Sequence, residues 1–361
     1  MGRLTLWVDA ISPRPGGIGR YTLELARGLA GRPDLSVQFF GRDRLLGDAS
    51  ILLGERPLPP RPNRLRRWWD RRDLKSSLVH GPNYFLPAFA DRGIITVHDL
   101  SVFRFPETHP ADRIAAFEKD FLSSLARATH IITDTETVRD EVMGMFSVPP
   151  AMITAIPLGV EPVFRPIAPE ALTTPLRQFG IGPKSYGLCV STLEPRKKIF
   201  ELLEAWRLLP LPVRKSFPLV LCGGAGWRND ALRAAVARGI AEGWLLHLGF
   251  VDEEVLPLLY AGAALFVYPS TYEGFGLPPI EAMASGTPVL VAEQSCLPEV
   301  CGEAARYIDP DDIVAFSAAI ADSLTDTTWQ KESVPRGLSR ARRYTWDRCV
   351  DATVAVYRQA L

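Results

Sequence analysis

The chain has 361 residues, 47% of them hydrophobic, and its 41 lysines and arginines balance its 41 aspartates and glutamates. This length favours two domains, each large enough to bury a core of its own. With a formal charge of zero, the chain lacks the excess of basic residues that nucleic-acid-binding proteins usually carry, so we expect no nucleic-acid partner.

The apolar runs and the cysteines bear on the compartment. No apolar run reaches the length that crosses a bilayer, and charge follows Met1 too soon for a signal peptide. The cysteines are scattered and lack the spacing of a zinc site, so we interpret them as small core residues in a reducing cytoplasm. They are Cys189, Cys222, Cys296, Cys301 and Cys349.

Short apolar runs alternate with helical patterns along the chain, which indicates an α/β protein with parallel sheets covered by helices. Strands are predicted in the first half at Leu4–Val8, Ser36–Phe40, Ser77–His80, Gly93–Val97, His130–Thr133 and Ile153–Ile156. A proline-rich stretch at 166–180 is interpreted as a linker. A second series of strands follows at Tyr186–Val190, Leu219–Cys222, Leu245–Leu248, Leu265–Tyr268, Pro288–Val291 and Ala305–Ile308.

A glycine-rich turn, Ser12–Tyr21, follows the first predicted strand and opens a helix. Its Gly16 and Gly17 would expose backbone N–H groups that can approach a phosphate closely. The turn lacks the spacing of the dinucleotide-binding fingerprint, and a bare glycine turn of this kind can also be purely structural.

A basic and aromatic stretch, Arg61–Arg72, contains Trp68 and Trp69 among six arginines. Basic residues beside tryptophans suit an anionic membrane surface, which predicts a peripheral membrane contact. The alternative is a solvated helix whose tryptophans pack on its own domain.

Two polar motifs follow predicted strands. His98 stands where the strand Gly93–Val97 ends, which is where ligands meet parallel sheets, although a lone histidine is often structural. The turn Glu194–Lys198 follows the first strand of the second half, so Arg196 and Lys197 lie near a helix N-terminus and favour a phosphate there. A solvated basic turn is the alternative for this motif.

The run from Ser270 to Glu281 is the most informative segment. It places two carboxylates, Glu273 and Glu281, eight residues apart across a strand-to-helix turn. Such a turn lies at the ligand-binding edge of an α/β sheet. The residues between them begin with Gly274, Phe275, Gly276 and Leu277, followed by two prolines.

As a unit, this run resembles the E-x7-E signature of retaining glycosyltransferases of family 4. The turn Glu194–Lys198 resembles the family's Glu-Pro-Arg-Lys-Asn loop, with Lys198 in place of Asn. The resemblance implies the GT-B plan of two Rossmann-like domains facing a cleft. We expect an acceptor-side domain at 1–165, a nucleotide-sugar donor domain at 181–340, and a terminal helix at 341–361 that crosses back to the first domain.

The resemblance also implies roles for individual residues. Glu273 and His98 would contact the donor sugar, Glu281 the ribose, and Arg196 with Lys197 the diphosphate. The turn after the strand Leu245–Leu248 would read the base. The remaining donor-binding candidates are Gly16, Gly17, Phe250, Val251, Gly274, Phe275, Gly276 and Leu277; packing alone could explain Phe250 and Val251.

The implied reaction moves a hexose, in particular mannose from GDP-mannose, onto a hydroxyl of a lipid-linked glycan in surface-polysaccharide assembly. We expect no cofactor and no metal, because Arg196 and Lys197 can stabilise the leaving diphosphate and the pair Asp309 and Asp311 lies too late in the chain. The alternatives are a UDP-sugar-dependent transferase, an epimerase or phosphorylase of the same fold, and a non-catalytic nucleotide-sugar-binding or scaffold subunit.

Overall fold

The computed structural model describes residues 3–54, 60, 62–106, 111–224 and 230–361. Within its helices the side chains at 66, 68, 69, 71, 73 and 111–113 are not described. In the basic stretch Arg61–Arg72, position 61 and the side chains of Arg66, Trp68, Trp69 and Arg71 therefore lie outside the described residues, although a helix runs from Arg64 to Leu74. No helix among the described residues combines the length and the apolar character needed to traverse a membrane.

The elements alternate between strands and helices. The strands are β1 Arg3–Trp7, β2 Ser36–Gly41, β3 Arg44–Leu46, β4 Leu78–Gly81, β5 Gly93–Val97, β6 Ala128–Thr133, β7 Ile153–Ala155, β8 Gly187–Val190, β9 Leu219–Cys222, β10 Leu245–Gly249, β11 Leu265–Tyr268, β12 Val289–Ala292 and β13 Ala305–Ile308. The helices are α1 Gly17–Leu29, α2 Arg64–Leu74, α3 Ser101–Arg104, α4 Ala111–Arg127, α5 Glu136–Phe146, α6 Pro169–Arg177, α7 Ile199–Arg207, α8 Leu211–Ser216, α9 Asp230–Ala241, α10 Leu256–Gly262, α11 Leu277–Ala284, α12 Leu297–Cys301, α13 Ile313–Thr325, α14 Thr327–Ala341 and α15 Trp346–Ala360.

The chain forms two compact units, one of Met1–Gly159 with Thr345–Leu361 and the other of Val160–Tyr344. The sheet of the first unit has the order β3-β2-β1-β4-β5-β6-β7, and its pairs are parallel except for β2 with β3. All of β5 is buried, as expected for a central parallel strand covered on both faces. The predicted strands of this half are confirmed, and β3 is an addition that the sequence pattern did not indicate.

The terminal helix α15 packs on the first unit. Gly28 of α1 lies against it so closely that a Cβ there would come within 2.6 Å of the Val350 side chain. At the sheet, the Tyr357 hydroxyl and the Nδ1 of His80 are 2.6 Å apart, and both side chains are buried. Helix α15 thus supplies part of the first unit's core.

The second unit has an entirely parallel sheet in the order β10-β9-β8-β11-β12-β13. Each strand corresponds to one predicted from the sequence. All five cysteines are free and buried, as predicted for core residues. The burial on both faces of β9, β11 and β12 explains why these strands read as continuous apolar runs.

The stretch at 166–180, predicted as a linker without regular structure, instead contains α6 and belongs to the second unit. Pro169 stands at the start of this helix, where a missing N–H costs nothing. Leu176 is fully buried against Gly262, at the end of α10. Proline content therefore misled the sequence interpretation, because Pro169 begins the helix and Pro175 lies within it without ending it.

Candidate functional site

The order of strands locates the candidate site of the second unit. Chain order reverses between β8 and β11, which are neighbours in the sheet, so the loops after these two strands diverge to opposite sides. Ligands of open α/β sheets bind at such a switch point, outside the carboxyl ends of the strands. The turn Pro195–Lys197 follows β8, and Glu273 follows β11.

Glu273 and Lys197 form a buried ion pair at this switch point. The Lys197 Nζ contacts Glu273 Oε1 directly, and the two residues are 6% and 9% exposed. Tyr268, the last residue of β11, donates its hydroxyl to the same carboxylate oxygen at 2.8 Å. Arg196 Nη1 lies 3.8 Å from Glu273 Oε2. The carboxylate is therefore surrounded by two cations and a hydroxyl donor.

The neighbouring charges decide the protonation of this carboxylate. Burial by itself would raise the pKa of Glu273, but the charges of Lys197 and Arg196 outweigh burial and hold that pKa below its ordinary value. Glu273 is thus ionised at neutral pH. Burial, and then the nearby Glu273, raise the pKa of the Tyr268 hydroxyl well above its ordinary value, so Tyr268 remains a hydrogen-bond donor.

Arg196 joins the two loops of the site. Its Nη1 donates to the Tyr272 carbonyl at 2.8 Å, and its own carbonyl accepts from the Thr271 N–H at 2.9 Å. Its Nε donates to Glu194 Oε2 at 3.1 Å. The loop after β8 therefore holds the loop after β11 in place, and Arg196 has a structural function in addition to its charge.

Glu281 lies on α11 and is 5% exposed. The Tyr260 hydroxyl, from α10, donates to its Oε2 at 2.9 Å. Burial, and then the charge of Glu281, raise the pKa of Tyr260 well above its ordinary value, which keeps the phenol protonated as a donor. A buried carboxylate hydrogen-bonded to Tyr260 can accept hydrogen bonds from hydroxyl groups, which is the role toward a ribose that the family resemblance implies.

The turn between the two glutamates is set by glycine and by backbone contacts. Gly276 caps α11 with φ of 88°, in the left-handed region, and a Cβ there would lie 2.8 Å from Leu297 Cδ2. Phe275 is buried edge-on against the Tyr344 ring. The backbone of Glu273 is fixed by Ser295, whose hydroxyl donates to its carbonyl at 2.8 Å. Gly274 is buried in the same turn, and Leu277 opens the helix.

Phe250 and Val251 follow β10, at the edge of the sheet and two strands from β8. Phe250 is 59% exposed, and Val251 is half-buried. A backbone hydrogen bond of 2.7 Å from Gly223 to Gly249 ties this edge to the end of β9. An exposed aromatic ring beside an anchored backbone can stack on a flat ligand.

In the first unit, His98 follows β5 and forms two hydrogen bonds. Its Nδ1 lies 2.8 Å from Asp134 Oδ2, and its Nε2 lies 2.8 Å from the Pro82 carbonyl oxygen. Burial lowers the pKa of an imidazole, but the Asp134 charge and the hydrogen bonds outweigh it, so the pKa of His98 is raised. Since both partners are acceptors, both ring nitrogens donate, as an imidazolium does. A contact from His98 to a sugar hydroxyl would require one of these hydrogen bonds to open.

Asp134 is a functional candidate that the sequence reasoning missed. It follows β6, and the register pairs Val97 with Thr133, so the residues after them lie side by side at the carboxyl edge. Its second oxygen, Oδ1, is buried without a hydrogen-bond partner. The signal was an aspartate directly after a predicted buried strand. Tyr260 and Tyr268 were also missed, because a tyrosine within an apolar run carries no motif that marks it as the hydrogen-bond partner of a glutamate.

The glycine turn of the first unit begins α1 with Gly16 as the N-cap, and no side chain caps the helix. First-turn N–H groups of such a helix attract anions. Gly16 itself has an extended conformation, and a Cβ there would meet nothing. The glycine that packing requires is Gly19, whose Cβ would lie 2.9 Å from the Ala10 carbonyl oxygen.

The described residues contain no group of histidine, cysteine, aspartate and glutamate arranged to hold a metal ion. Asp311, of the pair Asp309 and Asp311, accepts from Lys198 Nζ at 2.6 Å. The Asp311 backbone N–H in turn donates to Asp309 Oδ1 at 3.0 Å. The pair therefore belongs to a turn after β13 that is joined to the basic loop.

Comparisons with known proteins cover nearly the whole chain. Residues 15–164 match Glycosyltransferase Family 4, and residues 177–337 match Glycosyl transferases group 1. The O-antigen chain mannosyltransferase B of Escherichia coli is 38% identical, over 95% of this chain and 96% of its own length.

Two solved structures are similar to this chain in fold. Sucrose-phosphate synthase of Thermosynechococcus elongatus has a TM-score of 0.76 at 22% identity, covering 100% of this chain and 99% of that one. HepE of Anabaena, in complex with UDP and glucose, has a TM-score of 0.76 at 18% identity, covering 99% of this chain and 100% of that one. At these identities the likeness establishes the fold alone.

Proposed function

This chain belongs to glycosyltransferase family 4, and on that premise we propose that it moves mannose from GDP-mannose onto a hydroxyl of a lipid-linked glycan, with retention of configuration. The family resemblance and the α/β fold of two Rossmann-like domains are both confirmed. The chain is an enzyme, a glycosyltransferase. The choice of mannose is supported by the 38% identity to an O-antigen mannosyltransferase.

The observation that carries the proposal is the group formed by the buried Lys197 and Glu273 and the half-buried Arg196 at the switch point of the second unit. Cleavage of a sugar–nucleotide bond leaves negative charge on the diphosphate. Two fixed cations in a water-poor site stabilise that charge strongly. In this proposal Lys197 and Arg196 receive the diphosphate, and Glu281 receives the ribose hydroxyls.

The proposed mechanism depends on positioning and charge stabilisation. The donor's own phosphate oxygen would take the proton of the acceptor hydroxyl, while the acceptor attacks from the face that the nucleotide leaves. Glu273 is ionised and hydrogen-bonded to Tyr268, so it orients its neighbours and the donor sugar. No covalent bond between sugar and protein is then required.

A thermal-shift panel of GDP-mannose, GDP, UDP-glucose and UDP, with EDTA present, tests the donor. A ligand at a hundred times its dissociation constant adds about 2.7 kcal/mol to the free energy of unfolding. We expect stabilisation by GDP-mannose and GDP, its loss in Glu281→Ala, and its retention in Glu303→Ala, a change at an exposed glutamate of the same unit.

Other outcomes of the panel separate the alternatives. The likeness to HepE in complex with UDP and glucose favours a UDP-sugar as the second candidate donor. Stabilisation by UDP-glucose and not by GDP-mannose would show that the donor is a UDP-sugar. Stabilisation that appears only without EDTA would overturn the metal-independent mechanism. If none of the four compounds stabilises the protein, the proposed donor and the proposed donor site are both wrong.

The proposal includes a peripheral membrane contact through the stretch Arg61–Arg72. Among its described residues, Leu65 is 71% exposed on α2 beside the exposed Arg64. An apolar side chain next to a basic one suits the interface of an anionic bilayer. Flotation with liposomes that contain or lack anionic lipid tests the contact. Equal flotation of the protein with both kinds of liposome would contradict the proposed membrane contact.

A further inference from the structure

A small depression lies at the switch point of the first unit. Chain order in that sheet reverses between the neighbouring strands β1 and β4, and the depression opens beyond their carboxyl ends. Its volume is about 110 Å³. Its lining residues are Trp7, Asp9, Ala10, Pro82, Asn83 and Phe85. None of them has a role in the donor site proposed above.

The wall from β1 is fixed by hydrogen bonds. Trp7 is half-buried, and its indole Nε1 donates to Asp9 Oδ2 at 2.8 Å. Asp9 Oδ1 accepts from the backbone N–H of Arg42 at 2.6 Å. Asp9 therefore holds the indole ring in one orientation before any ligand arrives.

The opposite wall, formed by the loop after β4, is fixed by hydrogen bonds to residues of β5 and to His98. The Pro82 carbonyl accepts from His98 Nε2 at 2.8 Å, and the Tyr84 N–H donates to the Thr96 carbonyl at 2.9 Å. Tyr84 has φ of 61°, in the left-handed region. A Cβ at Gly81 would overlap the Phe85 carbonyl oxygen, so the chain folds back on itself here. Asn83 and Phe85 are thus presented by a rigid loop, and His98 acts on this wall through Pro82.

The chemistry and size of the depression match one sugar ring. Two half-buried aromatic side chains, Trp7 and Phe85, supply apolar faces for the C–H groups of a pyranose. Asn83 supplies an amide that can both donate to and accept from hydroxyl groups. Pockets for drug-sized ligands are about 300–1,000 Å³, so a volume of about 110 Å³ suits a smaller group.

We propose that this depression is a subsite for one pyranose ring of the acceptor glycan. The inference rests on the proposed function, because it assumes that a glycan is the acceptor. Rigid walls reduce the ordering cost of binding, so even a small contact can contribute affinity. Trp7, Asn83 and Phe85 touch the sugar, and Asp9 and His98 are positioning residues.

The test uses an α-linked mannotriose as the probe, observed by saturation-transfer NMR on the full chain without donor. We expect binding to the unchanged protein and about tenfold weaker binding in Trp7→Ala and Phe85→Ala, as for truncated aromatic residues at the centre of a binding site. Trp7→Phe keeps an aromatic face and should keep most of the affinity. Asn83→Ala, at a half-buried loop position, serves if the aromatic variants fail to fold.

The thermal shift with GDP-mannose distinguishes this inference from the donor proposal. We expect that shift to be unchanged in the four variants, because none of them changes a residue of the proposed donor site. If the donor shift is present but mannotriose binds equally well to all variants, or does not bind at all, the subsite is wrong while the proposed function stands. If the donor shift itself is absent, the proposed function has failed, and mannotriose binding that depends on Trp7 would still support a sugar subsite.

Discussion

At the scale of residues, the decisive feature is a carboxylate held between two cations. Sequence spacing was enough to nominate Lys197, Glu273 and Glu281 as candidates, because their motifs lie in contiguous segments; their roles toward a donor stay predictions. It was not enough to predict Asp134, since that residue meets His98 only through the pairing of β5 with β6. The engagement of both His98 nitrogens also depends on Pro82, a carbonyl that no side-chain motif reports.

Lys197→Ala should lower kcat/KM for transfer by at least about tenfold, because a fixed cation is lost where charge develops. It should also destabilise the fold by up to about 3–5 kcal/mol, since Glu273 remains as a buried carboxylate with a weaker partner. Steady-state kinetics and denaturant unfolding measure the two effects. Lys198→Ala is the matched control, because its partners Glu201 and Asp311 are partly exposed, and a near-normal rate in Lys197→Ala would place the diphosphate elsewhere.

The pair of His98 and Asp134 makes stability depend on pH. The pKa of His98 is raised above 6.5 in the folded protein, so its stabilising contribution is complete below about pH 6.5 and is lost as pH rises through the folded pKa. His80 has the opposite effect: burial lowers its pKa to about 3, so it stays neutral in the folded protein while it still titrates near pH 6.5 in the unfolded chain. This contribution is the same in both proteins and cancels when the unchanged protein is compared with a His98 variant. We expect the difference in unfolding free energy between the unchanged protein and His98→Gln to shrink from about pH 6 towards pH 9. A difference that grows over this range would contradict the ion pair.

At the scale of elements, periodicity and apolar runs predicted the strands that carry the site, because parallel strands buried on both faces have few other sequence signatures. Helix α6 was missed since its prolines resemble a linker, and its two buried leucines are too few to show a period. The turn before α11 was predicted as a loop, but its need for a left-handed residue at Gly276 is visible only in the structure.

Gly276→Ala should cost roughly 1–2 kcal/mol of stability for the left-handed backbone, plus the clash with Leu297. Because Gly276 caps the helix that carries Glu281, we also expect weaker donor binding. Gly286→Ala is the matched control, since Gly286 has φ of 75° at the opposite end of the same helix. Thermal unfolding with and without GDP-mannose separates the effect on stability from the effect on donor binding. Equal ligand-induced shifts in the two variants would show that the cap at Gly276 does not affect the donor site.

At the scale of the whole molecule, the second unit is inserted in the sequence of the first. The chain leaves the first unit at Gly159 and returns at Thr345, and helix α15 then completes the first core. The apolar pattern of α15 is visible in the sequence. The residue that Tyr357 of this helix contacts, His80, lies 277 residues earlier and cannot be identified from that pattern. The first unit therefore cannot finish folding until helix α15 has been synthesised.

Tyr357→Phe tests how much α15 contributes to the free energy of unfolding. Its hydroxyl is the buried partner of His80 Nδ1, and removing it leaves a buried nitrogen without that partner, at a cost of about 1–3 kcal/mol. Denaturant unfolding measures the change. Tyr307→Phe, which removes a half-buried hydroxyl from the Gly302 carbonyl, should cost less, and an equal or larger loss there would contradict a special role for α15.

The ion pair of Lys197 and Glu273 has a consequence for product release. When no nucleotide is bound, the Lys197 ammonium contacts the Glu273 carboxylate. In the proposed mechanism this carboxylate therefore replaces a departing diphosphate, and the ammonium always has an anionic partner. Because the Glu273 carboxylate competes with the diphosphate for Lys197, it should speed dissociation of the nucleotide product and weaken product inhibition. Glu273→Gln would remove the competing charge, and the inhibition constant for GDP should fall; an unchanged constant would show that the carboxylate does not take part in turnover.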